Sequence, residues 1–285
     1  MKALTTIQVE LRQGMARVIL NRPDRRNAFD QRMVDELHDV FEELAQNTEV
    51  RGVILTGAGP VFCAGADLRW LKPDHAVSMQ EAQNDAERLI NMYRAIDECP
   101  HPVIGRIQGA AFGGGVGLMS VCDIVVTTQD AMFALSEVRL GLVPAVIAPF
   151  LLRRAGTSFT RRFCLTAETF SASVARQFNL VHDVVEPETL DSRIGELVEA
   201  VLGLAPEAAR HTKVLLRQLQ SSQDMEERWK ISAVTNARAR LSAEAQEGLR
   251  AFFEKRPPTW TKASGVEMTE PRGVKSHHVA GQRNQ

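Results

Sequence analysis

The chain has 285 residues, 44% of them hydrophobic and 24% charged, which is the usual balance of a globular protein. This composition excludes disorder throughout the chain, and the lack of a run of ~18 uncharged apolar residues excludes a membrane-spanning helix. The 34 Lys and Arg against 35 Asp and Glu give a net charge of −1. A broad positive surface for non-specific nucleic-acid binding is therefore not expected. The length corresponds to roughly two domains, or one large domain with an appendage.

The cysteines and the N-terminus indicate a cytoplasmic protein. Cys63, Cys99, Cys122 and Cys164 are widely spaced and form no C-x-x-C pair or Cys/His cluster. This spacing predicts reduced thiols in a core and no metal site. Residues 1–10 contain no apolar segment of the kind found in secretory signals.

The first half of the chain alternates short apolar runs with helical patterns. Predicted strands are 4–10, Met15–Leu20, Gly52–Gly57, 102–108, 123–128 and 131–134. A 3.6-residue apolar period over 33–44, after the N-cap candidate Asp30, predicts one helix. The capping box of Ser78 and Glu81 begins a second, ending near residue 97. Glycine-rich loops follow at 57–65 and 109–117, the latter leading into a short helix at 118–122.

The second half is predicted to be almost entirely helical. The expected helices are 145–154, 158–165, 171–178, 189–202, 207–218 and 224–253. Pro257 and Pro258 end the last helix, and the tail over 259–285 has little apolar periodicity and is expected to be disordered. Strand–helix alternation followed by helices predicts a parallel or spiral α/β core with a helical packing module.

Two loops of small residues are candidates for a backbone-lined site. Residues 63–68 follow a predicted buried strand, and residues 112–118 lie between a strand and a helix. Backbone N–H groups in such loops, and at helix N-termini, could form an oxyanion hole. Because Leu118 stands where G-x-G-x-x-G needs glycine, a dinucleotide fingerprint is not supported, and no P-loop is present. Tight strand-to-helix packing is the alternative explanation of the glycines.

Glu137 is the third candidate. It follows a short apolar strand and precedes the turn at Gly141, so its carboxyl is expected in apolar surroundings that raise its pKa into a useful range for acid/base catalysis. The alternative is a surface glutamate paired with Arg139 or Arg153.

Taken together, these segments resemble the crotonase superfamily, which comprises enoyl-CoA hydratases and isomerases. The matching motifs are Asn21-Arg22-Pro23 with Asn27-Ala28, Ala64-Gly65-Ala66-Asp67-Leu68, Gly109-Ala110-Ala111-Phe112-Gly113-Gly114-Gly115, Cys122-Asp123-Ile124, Glu137-x-x-Leu140-Gly141-x-x-Pro144 and Phe253-Glu254-Lys255-Arg256-Pro257-Pro258. Their order and spacing cover residues 7–260, and the combination is specific although no single motif is.

The resemblance implies a ββα spiral core over 1–200 with the CoA and active site, a helical trimerisation region over 201–258, and assembly as a homohexamer built from two trimers. It implies an acyl-CoA thioester as substrate, no separate cofactor, and an oxyanion hole formed by the amides of Ala66 and Gly114. For CoA binding it implies Ala28, the loop that contains Ala64, Ala66, Asp67 and Leu68, the amide of Gly114, and two candidate phosphate ligands, Arg26 and Lys255 of a neighbouring subunit.

One position departs from the two-carboxylate hydratases that this chain resembles. Gly117 stands where they have a glutamate, so Glu137 is the only matching acid/base group. The sequence is most similar to the bacterial methylglutaconyl-CoA hydratase branch, which implies hydration of a branched 2-enoyl-CoA in leucine or isoprenoid breakdown. A 3,2-enoyl-CoA isomerase and a glutaconyl-CoA-type decarboxylase remain alternatives. An RNA-binding scaffold that uses Arg153, Arg154, Arg161 and Arg162 is the alternative from another class.

Overall fold

The computed structural model describes residues 4–70 and 77–263. Its strands are β1 (Ile7–Arg12), β2 (Met15–Leu20), β3 (Gly52–Gly57), β4 (Val103–Ile107), β5 (Ala110–Phe112), β6 (Ile124–Thr128), β7 (Met132–Ala134), β8 (Thr169–Ser171) and β9 (Asp183–Val185). Its helices are α1 (Gln31–Gln46), α2 (Met79–Glu98), α3 (Gly114–Ser120), α4 (Ala148–Thr166), α5 (Ala172–Gln177), α6 (Leu190–Gly203), α7 (Pro206–Ser221), α8 (Met225–Leu241), α9 (Ala243–Phe253) and α10 (Thr259–Ala263). The predicted α/β class with a helical C-terminal region is confirmed.

The strands form two sheets between which the chain alternates. The larger sheet has the order β1-β2-β3-β4-β6-β9 and is parallel except for the β1–β2 hairpin. The smaller sheet has the order β5-β7-β8. After β4 the chain crosses to the smaller sheet at Gly109, whose φ is +70°. A Cβ atom there would lie 2.0 Å from Pro60 O, so only glycine fits this crossing.

Helices cover both faces of the larger sheet. α1 places the apolar side chains of its predicted 3.6-residue period, from Met33 to Leu44, in the main core. On the other side, α6 packs Leu190 and Ile194 with Ile104 and Val126 of β4 and β6. Because helices cover both faces, the strands between these layers carry apolar side chains on both sides.

Several predicted boundaries are corrected by the structure. α3 begins at Gly114, four residues before the predicted start, because the glycines form its first turn against the preceding loop. The predicted helix 224–253 is two helices, since Ser242 has extended backbone angles and its side chain accepts from Ala245 N to cap α9. β8 and β9, of three residues each, were not predicted. In the predicted tail, Thr259–Ala263 is helical, and 264–285 lie outside the described residues.

The C-terminal helices present an apolar surface. Leu249, Phe252 and Phe253 lie on α9 and are exposed in this single chain. Phe252 is 76% and Phe253 78% accessible. In the described part of the chain, no helix is long and apolar enough to cross a membrane.

Candidate active site

The two loops of small residues meet. Cys63 N donates to Ala110 O over 3.3 Å, and Phe112 N donates to Cys63 O over 3.0 Å, so the first loop pairs with β5. A Cβ atom on Gly65 would lie only 3.2 Å from Gly114 N. The backbone of the first loop therefore contacts the N-terminus of α3, and glycine is needed where they touch.

The amides of Ala66 and Gly114 have no backbone acceptor among the described residues. Phe29 N donates to Gly65 O over 2.9 Å and Asp67 N donates to Phe29 O over 2.8 Å. Because backbone groups alternate in direction along an extended segment, the N–H of Ala66 points away from Phe29. Gly114 is the first residue of α3, where amides lack intrahelical acceptors. Two free donors on adjoining loops are what an oxyanion hole requires.

Glu137 lies against this glycine segment. It begins a short 3₁₀ helix after β7, and a Cβ atom on Gly113 would lie 3.1 Å from Glu137 Oε1. Glu137 Oε2 is buried and lacks a hydrogen-bond partner among the described residues. Burial raises the pKa of this carboxyl above its usual value. Such a group is a candidate general base.

The alternative explanation of Glu137 as a surface ion pair is wrong. Arg153, one of its two proposed partners, instead makes a bidentate ion pair with Asp97. Arg139 is exposed, and no ion pair joins it to Glu137 within the described residues. The carboxylate therefore faces the glycine segment without a charged partner.

The position of the missing second carboxylate is filled by apolar groups. A Cβ atom on Gly117 would lie 2.4 Å from Ile147 Cγ2 and 3.0 Å from the Tyr93 ring. The sequence identified Gly117 as a departure but gave no sign of Tyr93 and Ile147, because Tyr93 lies on α2 and Ile147 directly precedes α4. Glu137 thus has no opposing carboxylate within this part of the site.

The residues matched to CoA binding divide into two groups. The first group, Ala28, Ala64 and Asp67, makes hydrogen bonds that fix the conformation of the loop. Ala64 N donates to Arg26 O over 2.9 Å, and the Asp67 carboxylate accepts from Arg22 Nη2 over 3.1 Å. Arg22 also donates to Ala28 O. These contacts give the alanines and Asp67 a structural role that the resemblance alone did not indicate.

Two other matched residues lie at the surface of the loop region. Arg26 is exposed and adopts a left-handed conformation with φ of +51°, and Leu68 is 57% accessible. No ion pair restrains Arg26 within the described residues, so its guanidinium is available to an anion. A phosphate would be a suitable partner because five N–H donors match its oxygens.

Lys255 lies elsewhere in this single chain. It follows α9, is exposed, and has φ of +52°. No hydrogen bond or ion pair joins its side chain to the described residues near Glu137. Its assignment to a neighbouring subunit's CoA site stays a prediction.

Three of the four arginines of the scaffold hypothesis are engaged within the fold. Arg153 pairs with Asp97, Arg154 donates to Asn179 O over 3.0 Å, and Arg162 pairs with Glu168 at 2.7 Å, while Arg161 is exposed. Elsewhere, all four cysteines are free, and no group of three or more His, Cys, Asp or Glu suited to a metal occurs among the described residues.

Comparisons with known proteins agree on one family. The model of the enoyl-CoA hydratase/isomerase family matches residues 10–263. The enoyl-CoA hydratase ACTT6 of Alternaria alternata is 35% identical over 73% of this chain and 68% of its own. A peroxisomal Delta(3,5)-Delta(2,4)-dienoyl-CoA isomerase of Arabidopsis thaliana is 32% identical over 92% of this chain and 98% of its own.

Among solved structures, an enoyl-CoA hydratase from Shewanella pealeana superposes with a TM-score of 0.86. It is 37% identical to this chain, and the match covers 90% of this chain and 96% of the other. The free amides, the adjacent carboxylate and these matches lead to one conclusion: the chain is an enzyme of the enoyl-CoA hydratase/isomerase family, within the crotonase superfamily.

Proposed function

We propose that this enzyme reversibly adds water to a 2-enoyl-CoA, with Glu137 as the single acid/base group. The observation that carries the proposal is the half-buried Glu137, whose Oε2 is buried without a hydrogen-bond partner and whose carboxylate lies against Gly113, next to the free amide of Gly114. The reaction needs a base close to the acyl chain and donors aimed at the thioester oxygen, and the position of Glu137 and the free amides supports assigning them these roles.

In the proposed reaction the amides of Ala66 and Gly114 donate to the thioester oxygen. Glu137 takes a proton from water, and the water oxygen forms a bond to C3 of the substrate. The electron pair of the C2–C3 double bond forms a C1–C2 double bond, and the carbonyl π pair moves to the thioester oxygen. The product of this step is an enolate, whose charge the two amides stabilise. C2 then takes a proton from Glu137, directly or through water, and the carboxylate is restored. No separate cofactor takes part, since CoA arrives as part of the substrate.

The buried Oε2 of Glu137 offers a place for the attacking water. A carboxylate oxygen without a protein partner can accept a hydrogen bond from a water without breaking an existing contact. Burial favours the protonated form, so the ionised carboxylate is a stronger base than an ordinary surface glutamate.

A 3,2-enoyl-CoA isomerase is the second candidate, and the surroundings of Gly117 favour it. Ile147 and Tyr93 fill the place of the second carboxylate with apolar atoms, which leaves fewer groups to hold a water. One carboxylate can move a proton between C4 and C2 without water. The relative named as a dienoyl-CoA isomerase shows that double-bond migration occurs among similar chains. Decarboxylation of a glutaconyl-CoA-type ester is the third possibility, because the oxyanion hole alone could support it.

For the substrate we propose a branched 2-enoyl-CoA with a distal carboxylate, such as 3-methylglutaconyl-CoA. This choice rests on the resemblance of segments 113–118, 136–147 and 252–260 to that branch of the family, and it implies a role in leucine breakdown. We also propose a cytoplasmic homohexamer in which neighbouring subunits cover the exposed Phe252 and Phe253 and bring Lys255 to a CoA phosphate.

A panel of acyl-CoA esters followed by mass spectrometry tests these proposals. The panel contains straight-chain 2-enoyl-CoA, 3-enoyl-CoA and 3-methylglutaconyl-CoA, each with wild-type enzyme and the Glu137→Gln variant. Hydration adds 18 mass units, isomerisation adds none, and decarboxylation removes 44. Addition of water that depends on Glu137 supports the proposal, whereas isomerisation of 3-enoyl-CoA without hydration of any 2-enoyl ester would replace it with the second candidate. Binding of RNA at ~0.15 M salt without binding of CoA would favour a scaffold instead.

A further inference from the structure

Tyr93 is a buried hydroxyl that the proposed reaction does not use. It is the single tyrosine of the chain, lies on α2 and is 1% accessible. Its hydroxyl donates to Gly114 O over 2.8 Å. Burial raises the pKa of Tyr93 well above its usual value, so the phenol stays protonated and remains a donor.

The bond from Tyr93 is made to the residue that carries one of the two free amides. The peptide between Gly113 and Gly114 contains the Gly114 N–H, and Gly113 adopts φ of +49° and ψ of −118°, a conformation open mainly to glycine. The Gly113 carbonyl of that peptide accepts from Val116 N over 2.9 Å. Gly117 N also donates to the Gly113 carbonyl, over 3.2 Å. Hydrogen bonds on both sides of the Gly114 Cα atom therefore fix the direction of its N–H.

The Tyr93 side chain also limits the space around Gly114. A Cβ atom on Gly114 would lie 2.8 Å from the Tyr93 hydroxyl oxygen and 2.3 Å from Phe29 Cζ. The same ring stands 3.0 Å from the Cβ position of Gly117. Tyr93 thus contacts α3 at its first and fourth residues and opposes rotation of its first turn.

We infer that Tyr93 is a positioning residue that orients the Gly114 amide toward the thioester oxygen through its hydrogen bond to the Gly114 carbonyl. The inference rests on the proposed function, in which that amide donates to the substrate. The Tyr93 hydroxyl itself touches neither water nor substrate in this role. Its loss should therefore lower turnover more than it weakens CoA binding.

The test compares Tyr93→Phe with a matched variant, Thr127→Val. Thr127 is also fully buried, and its hydroxyl donates to a backbone carbonyl, Ile107 O, over 2.9 Å on the larger sheet. Each substitution removes one buried hydroxyl while keeping the shape of the side chain. Similar small losses of thermal stability are expected for both variants. A difference in activity between them would therefore come from the orientation of the Gly114 amide and not from a loss of stability.

The readouts are kcat, KM and the absorption of a bound cinnamoyl-CoA that carries an electron-donating ring substituent. Hydrogen bonds to the thioester oxygen polarise such a chromophore and move its absorption to longer wavelength. We expect Tyr93→Phe to lower kcat about tenfold to hundredfold, to change KM less than threefold, and to reduce the wavelength shift. Thr127→Val should retain wild-type kcat and the full shift.

The outcomes separate this inference from the proposed function. If Tyr93→Phe keeps both the wild-type wavelength shift and the wild-type kcat, the positioning role is overturned, while the proposed oxyanion hole stands. Equal losses of kcat in both variants also overturn it, since they show a general stability effect. If the wild-type enzyme gives no shift with any cinnamoyl-CoA, the proposed function and the inference both fail.

Discussion

Replacing Glu137 by Gln should change activity and stability in opposite directions. Gln keeps the shape of the side chain but cannot accept a proton. General acid/base groups contribute ~10²–10⁴-fold, or about 3–5.5 kcal/mol of transition-state stabilisation. Because Gly117 leaves no second carboxylate to substitute, we expect kcat to fall at least that far. CoA binding should stay within about threefold, since backbone amides and distant charges hold it.

Stability should rise in the same variant at neutral pH. Burial raises the pKa of Glu137, so the folded protein binds a proton more tightly than the unfolded chain. This group therefore favours the fold fully below its unfolded pKa, and that contribution is lost as pH rises through the raised folded value. At pH 7–8 Glu137→Gln removes a carboxylate whose Oε2 is buried without a hydrogen-bond partner, and the substitution should increase the melting temperature. For the same reason, wild-type kcat/KM should fall as pH is lowered through the raised pKa.

Glu36 supplies a control, because its pKa is shifted in the opposite direction from that of Glu137. Burial alone would raise its pKa, but hydrogen bonds from Thr6, Thr5 and Arg32 lower it to about 2. Its stabilisation is present above the unfolded value of 4.5 and is lost as pH falls through about 2. Glu36→Gln should therefore lower stability by about 1–2 kcal/mol at pH 7 and leave turnover unchanged.

The assay follows hydration of 2-enoyl-CoA by mass and unfolding by calorimetry from pH 5 to pH 8. A Glu137→Gln enzyme that hydrates at near the wild-type rate would refute the proposed mechanism. An inactive variant that is less stable than wild type at pH 8 would refute the stability argument. That result would show that the ionised Glu137 carboxylate does not destabilise the folded protein.

Three further predictions follow from the geometry. Gly114→Val should cost ~2–4 kcal/mol of transition-state stabilisation, because even its Cβ atom would lie 2.3 Å from Phe29 Cζ. The control Gly195→Ala, with no atom within 4 Å of the new Cβ, should keep full activity. Steady-state kinetics of the folded variants test both expectations. Arg26→Ala should raise KM for acyl-CoA esters severalfold without lowering kcat, and equal KM values for CoA and dephosphorylated esters in the wild type would contradict a phosphate contact. The double variant Phe252→Ser, Phe253→Ser should form smaller assemblies in sedimentation experiments, because these exposed rings need burial. A C-terminal interface would be contradicted if a protein without residues 243–285 still assembled and bound CoA normally.

Local patterns in the sequence were sufficient where a signal lies within one turn or one strand. The apolar period over 33–44 and the Ser78 capping box predicted α1 and the start of α2, and both are confirmed. The break between α8 and α9 was missed because Ser242, an N-cap, interrupts an otherwise helical run without a proline or glycine. β8 and β9 were missed because strands of three residues carry too few alternations to be read.

The candidate site shows the same division. The family motifs directed attention to Ala66, Gly114 and Glu137, and the sequence showed that Gly117 removes a carboxylate. The sequence did not show what occupies the vacated place, because Tyr93 and Ile147 reach it from segments 24 residues before and 30 residues after position 117. Contacts of that range depend on how helices pack and have no signature in local spacing.

By itself the sequence determined most of the elements, the loops of small residues and the one carboxylate that could act as a base. Only the tertiary structure decided that Glu137 lacks a charged partner, that the Ala66 and Gly114 amides are free on adjoining loops, and that the buried Tyr93 hydroxyl donates to the Gly114 carbonyl. The physical reason is that hydrogen-bond satisfaction and desolvation are properties of an environment. That environment is assembled from segments far apart in the chain, so residue type and spacing indicate which groups can react, and packing sets their pKa and their direction.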